Sequence, residues 1–109
     1  MGVLIVTGGS RGIGAAICRL AGSRGWSVCV NYTAGEDAAK AVVEDIESAG
    51  GRAVHVRGDV SNETDVEGLF QQATDWLGPV TGLVNNAGIM GSRGPIDELN
   101  RGQCQSKSA

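Results

Sequence analysis

The sequence is short of several things that would each name a function class. Nine Lys and Arg residues stand against twelve Asp and Glu, a net charge of −3. The cations are scattered and form no basic stripe, which argues against a nucleic-acid partner. No apolar run approaches the roughly 20 residues that a membrane helix needs. The run at residues 3–6 is too short for a secretory leader and follows no basic segment. Cysteines number three, Cys18, Cys29 and Cys104. An odd count without a CxxC spacing gives neither a disulfide framework nor a zinc site, and a reducing, cytoplasmic setting is expected. Tyrosine and histidine occur once each, as Tyr32 and His55. Neither His55 nor its neighbours offer a Ser or carboxylate at a catalytic spacing, so His55 is expected to be structural or surface-facing.

Glycine, in contrast, is abundant: 18 of 109 residues, where about 7% is usual. Tight turns and close backbone approaches are the expected use. A chain of this length makes one domain, with a modest core.

Val3-Leu4-Ile5-Val6 is a continuous apolar run, as in strands buried on both faces of a parallel sheet. Ile13, Ile17, Leu20 and Ala21 then recur at helical spacing, and Gly25 can end that helix. A second strand is read at residues 28–30. The second helix carries Ala39, Val42, Val43 and Ile46 inward and Glu36, Asp37, Glu44, Asp45 and Glu47 outward. A third strand is read at residues 53–56. Asn62 caps a third helix bearing Val66, Leu69, Phe70, Ala73 and Leu77. Leu83-Val84 leads a fourth strand into Asn85-Asn86-Ala87-Gly88.

Strand and helix alternate throughout, which predicts an α/β fold with right-handed crossovers. The expected form is a Rossmann-like, doubly wound parallel sheet, incomplete, with four strands in the order 3-2-1-4 and three main helices. The first two helices should share one face, with the third opposite. Residues 1–99 carry these elements as one domain. Residues 95–99 can start another helix, and residues 100–109 read as a disordered polar tail. Cys18 and Cys29 are expected to be buried, and Trp26 and Trp76 to serve packing.

Between the first strand and first helix lies Thr7-Gly8-Gly9-Ser10-Arg11-Gly12-Ile13-Gly14. A helix N-terminus presents unpaired N–H groups and partial positive charge, which suits phosphate. Glycines at 8, 12 and 14 permit the turn and the close approach. The spacing lacks the Gly-Lys-Ser/Thr of a P-loop. Glycine content alone leaves open an adenosyl-cofactor methyltransferase. That fold wants an acid after the second strand, and Asn31-Tyr32-Thr33 offers none.

Residues 7–14 match TGxxxGIG, Asn85-Asn86-Ala87-Gly88 matches NNAG, and Asp59-Val60 matches the Asp-Val pair after the third strand. Together they resemble the short-chain dehydrogenases/reductases over residues 1–99, which the resemblance implies are a partial dinucleotide-binding domain. The resemblance implies an oxidoreductase interconverting a carbonyl and an alcohol with NADP(H), NAD(H) being the alternative. Gly8, Ser10, Arg11, Gly12, Ile13 and Gly14 would wrap the pyrophosphate, with Ile13 towards the nicotinamide. Asp59 and Val60 would meet the adenine. Asn86, Ala87 and Gly88 would pass the ribose and nicotinamide, and Asn85 would brace the sheet. NADP(H) is favoured because Asn31, Tyr32 and Thr33 supply hydrogen bonds where an NAD enzyme has an acid, and Arg11 can reach the 2′-phosphate.

The family's catalytic Tyr-x-x-x-Lys lies downstream of NNAG, and no such motif occurs in these 109 residues. The sequence therefore reads as the N-terminal half of such an enzyme, as a truncated or shifted frame would give. It is expected to be inactive alone, with no catalytic or metal-ligating residue of its own. A non-catalytic nucleotide-binding or interaction protein, or the non-functional product of a broken gene, are the alternatives. In the family a fifth strand pairs with the fourth, and members are usually homo-oligomers. Without those elements the fourth strand is expected to be an open edge and the chain to self-associate.

Overall fold

Four short apolar segments become the four strands of one parallel sheet, and the polar, glycine-punctuated stretches between them become the crossovers. The structure, a computed structural model, describes residues 2–86. In chain order the elements are β1 (Val3–Thr7), α1 (Gly12–Ser23), β2 (Ser27–Tyr32), α2 (Glu36–Ser48), β3 (Arg52–Arg57), α3 (Glu63–Leu77) and β4 (Val80–Asn85). The strand order is β3-β2-β1-β4, all parallel. This is the Rossmann-like arrangement that the alternation predicts. The expected helix at 95–99, the tail from residue 100, Cys104, Ala87 and Gly88 lie outside the described residues.

Alternation along the strands splits the core in two. Leu4, Val6, Val28 and Val30 face one side, where they pack with Ala15 and Cys18 of α1 and Ala39, Val42 and Ile46 of α2. Val3, Ile5, Cys29 and Val56 face the other, where Leu69, Ala73 and Leu77 of α3 cover them. α1 and α2 therefore share a face and α3 lies opposite. The inner face of α2 is the expected set, Ala39, Val42, Val43 and Ile46. Asn62 caps α3 through Oδ1, which accepts the Asp65 N–H at 3.1 Å.

Two readings of the side chains and one strand boundary are corrected. α1 buries Gly14, Ala15, Cys18 and Ala21, whereas Ile13 and Leu20 are 68% and 55% exposed. Small residues let this helix approach the sheet closely, and the bulky ones rotate off to its flank. Trp26 packs against the first core, but Trp76 is 65% exposed. β4 runs from Val80, three residues earlier than the apolar pair suggests, with side chains alternating half-buried and exposed. His55 is half-buried on β3, its ring 5.8 Å from that of Tyr32.

Candidate cofactor-binding site

The chain leaves β1 at Thr7 and must reverse direction before α1 begins. Gly8 (φ 63°) and Gly12 (φ 54°) supply the left-handed backbone for that reversal. The loop is held from both neighbouring strands. On one side, Asn31 Oδ1 accepts the Gly8 N–H at 3.3 Å, and the Asn31 carbonyl accepts the Gly9 N–H at 2.8 Å. On the other, Asn86 Nδ2 donates to the Gly8 carbonyl at 3.0 Å. Thr7 Oγ1 donates towards the Val84 carbonyl and Asn85 Oδ1, which ties β1 to the end of β4. Asn85 thus has the bracing position expected of it.

Two further glycines are required by space. A Cβ at Gly14 would collide with the Gly8 carbonyl oxygen and lie 2.7 Å from Asn86 Nδ2. One at Gly9 would lie 2.8 Å from Cys18 Sγ. Gly9 was not legible as a site residue. The signal is the small thiol of Cys18, which fills the space under the loop and approaches the Gly9 carbonyl.

The loop roofs one side of a cleft of about 370 Å³. Gly8, Ser10, Arg11, Gly12 and Ile13 line it from the loop and α1. Tyr32, Thr33 and Ala34 line it from the end of β2, and Asn86 from the end of β4. The cleft therefore lies at the carboxyl ends of the strands, where the order switches between β2-β1 and β1-β4, the usual place for a ligand in such sheets.

The N-terminus of α1 opens into this cleft uncapped. Its first paired N–H is that of Ala15, which donates to the Arg11 carbonyl. The N-cap, Arg11, gives no side-chain cap, and no acid occupies the first turn. The other two helices differ. α3 has the Asn62 cap, and α2 carries Glu36 and Asp37 in its first turn. A Cβ at Gly12 would meet nothing within 4 Å, so open space stands in front of these donors. The fit to a nucleotide pyrophosphate is good: free N–H groups, positive helix end, and no bulk in the way.

Not every expected residue is in the cleft. Asn31 is 1% exposed, and its amide is committed inward, with Nδ2 donating to the carbonyls of Val56 (3.3 Å) and Gly58 (3.1 Å). Because β2 continues to Tyr32, strand alternation turns Asn31 away and leaves Tyr32 and Thr33 at the cleft. Asn31 holds the loop and does not line the cleft. Asp59 is exposed beyond β3, where its carboxylate accepts from Ser61 N (2.9 Å) and Oγ (2.7 Å). The Ser61 hydroxyl, then its N–H, hold the Asp59 pKa below the usual carboxylate value. Val60 packs against the second core and lines a separate small cavity with Leu69 and Phe70. Arg57 was not foreseen. Its Nε donates to the Thr33 carbonyl at 3.2 Å, because the β2–β3 register sets Arg57 beside Tyr32. The predicted strand order carried that signal.

A family model described as short chain dehydrogenase matches residues 2–107. This chain belongs to the short-chain dehydrogenase family. An uncharacterized oxidoreductase of Methylorubrum extorquens is 45% identical over 87 residues, covering 80% of this chain and 35% of that protein. Among solved structures, a short-chain dehydrogenase/reductase from Serratia marcescens superposes with a TM-score of 0.75 at 38% identity, covering 78% of this chain and 35% of that one. The FolM alternative dihydrofolate reductase 1 of Brucella canis, solved in complex with NADP, does so with a TM-score of 0.71 at 39% identity, covering 77% and 33%. The chain thus spans about a third of the length of these short-chain dehydrogenases. Among the described residues no helix is long and apolar enough to cross a membrane, and no cluster of residues could hold a metal ion.

Proposed function

We propose that this chain is the NADP(H)-binding portion of an oxidoreductase that interconverts a carbonyl and an alcohol on a small molecule. The carrying observation is the uncapped, acid-free N-terminus of α1, facing the cleft beneath the glycine loop. When bound there, the nicotinamide supplies or accepts hydride. The chain's residues do the rest of what can be assigned. The N–H groups at the start of α1 take the pyrophosphate. Gly8 and Gly12 keep the approach clear. Ile13, exposed at the mouth of the cleft, offers an apolar surface to the nicotinamide half. Asp59 and Val60 are proposed for the adenine side, and Ala87 and Gly88, with Asn86, for the ribose and nicotinamide.

Preference for the 2′-phosphate rests on Arg11 at the rim and on Tyr32 and Thr33, neither of them acidic. A carboxylate in their place would repel that phosphate by about 1–4 kcal/mol at 4 Å. NADP in the Brucella canis relative supports the same reading. Titration of the chain with NADPH and NADH tests it. NADPH is expected to bind more tightly, and Arg11→Ala to cut its affinity roughly 10–100-fold while leaving NADH nearly unchanged. Equal affinities, or equal losses, would overturn the preference.

These 109 residues alone are proposed to lack dehydrogenase activity. Their one tyrosine, Tyr32, is 5% exposed on the core side of β2, and general acid–base help worth about 10²–10⁴-fold has no donor here. NADPH-dependent carbonyl reduction by the purified chain would refute this.

A further inference from the structure

We propose that Gly35 is a positioning residue for cofactor specificity: its missing side chain is the seat of the Arg11 guanidinium. Gly35 is the N-cap of α2, with φ 87° and ψ 50°. A Cβ there would lie 2.7 Å from one terminal nitrogen of Arg11, 3.3 Å from Nε and 3.4 Å from Cζ. The guanidinium thus fills the space a side chain at 35 would take, bridging from the glycine loop to the turn after β2. That contact sets it beside Thr33 and Ala34 on the rim of the cleft.

Nothing else among the described residues holds Arg11 there. The ion pair present is Arg19–Asp45 at 2.8 Å, and Glu36 and Asp37, next to Gly35, do not pair with Arg11. Packing on bare backbone fixes the group without consuming its donors, which stay available for a phosphate. A salt bridge would have aimed the side chain but spent those donors. A Cβ at 35 would evict the guanidinium, and the long flexible arm would yield before the helix did. The pyrophosphate cradle at Gly8 and Gly12 would be untouched.

Glycine at 35 also satisfies a left-handed φ, and the two reasons must be separated. Gly50, with φ 93°, supplies the control, because a Cβ there meets nothing within 4 Å. Gly50→Ala carries the backbone strain alone. Gly35→Ala carries strain and eviction, and Gly35→Asn lowers the strain while keeping the Cβ.

The proposal rests on the reading of Arg11 as the 2′-phosphate contact, so its test has two arms. In the first, the chain is titrated with 2′,5′-ADP and 5′-AMP by calorimetry. Gly35→Ala and Gly35→Asn are expected to lose about tenfold of the preference for 2′,5′-ADP, and Gly50→Ala to keep it. Combining Gly35→Ala with Arg11→Ala is expected to do no more than Arg11→Ala alone. An unchanged preference in both Gly35 variants, or independent losses in the double variant, would overturn the proposal. In the second arm, the Arg11 Nε–H resonance is followed by NMR without ligand. It is expected to move in both Gly35 variants and stay in Gly50→Ala. If Arg11→Ala leaves the preference intact while that resonance moves, the phosphate reading fails and the seat stands. A resonance indifferent to residue 35 removes the seat itself.

Discussion

Asn31 shows how one residue of strand length changes the meaning of a position. By its place after an apolar run it reads as the residue that ends β2 and greets the ribose. In the folded chain its amide joins β3 to the glycine loop instead. Asn31→Asp would aim a carboxylate at two carbonyls in a closed space. A loss of about 2–4 kcal/mol is expected, seen in urea melts, without any gain in NADH affinity. A stable variant that gained NADH affinity would restore residue 31 as the reading position. Cys18 and Cys29 behave as their sequence context suggests. Burial pushes each thiol from 9.0 to about 12; Arg19 opposes the rise at Cys18, and the neighbouring Cys18 adds to it at Cys29. Neither should react with iodoacetamide at pH 8 in a Cys104→Ser background until the chain is unfolded. Because the folded values lie above the unfolded one, this contribution to stability is complete below pH 9 and is lost as pH rises towards 12. Thermal midpoints should fall across that window, and less steeply in a Cys18→Ala/Cys29→Ala variant. An equal slope in the two would show that other groups govern alkaline unfolding.

Elements were legible in proportion to how simply they pack. α2 meets one face of the sheet and solvent elsewhere, so its 3.6-residue apolar period names its buried side chains without error. α1 does not follow its bulkiest residues, since the loop that feeds it runs directly beneath and demands small ones. Periodicity counts Ile13 and Leu20 as core; contact distance selects Gly14, Ala15 and Cys18. The glycines at either end of α1's first turn should separate accordingly. Gly14→Ala drives a methyl into the Gly8 carbonyl and the Asn86 amide. About 1–3 kcal/mol of stability should go, measured by denaturant melts, with nucleotide affinity falling alongside. Gly12→Ala meets no neighbour, so beyond the backbone strain of about 1 kcal/mol it should act mainly on binding. Should the two variants lose stability equally, close approach at Gly14 would not be what fixes the loop.

At the scale of the whole molecule, the strand order and the two-faced core were readable because right-handed crossovers leave few alternatives. The length of β4 was less so, since an alternating strand carries little hydrophobic signal outside Leu83-Val84. Among the described residues β4 is an edge, and Leu83 upon it is 44% exposed. A small apolar cavity lies beside it, lined by Val66, Phe70 and Leu83. An edge with apolar side chains is a template for further pairing. Sedimentation of the purified chain is expected to show self-association that grows with concentration, and Leu83→Lys to reduce it. A monodisperse monomer would show that the edge is already occupied.

The clasp on Gly8 joins residues 78 positions apart in the chain. Closing so long a loop is entropically slow relative to pairing neighbouring strands. A nascent chain can therefore lay β1, β2 and β3 side by side while the cradle still swings on the two Asn31 bonds alone. Only when Asn86 has been synthesised and β4 has docked is the third bond made. The nucleotide cradle is thus a late product of assembly, and its ligand would find it ready only after the sheet beneath was complete.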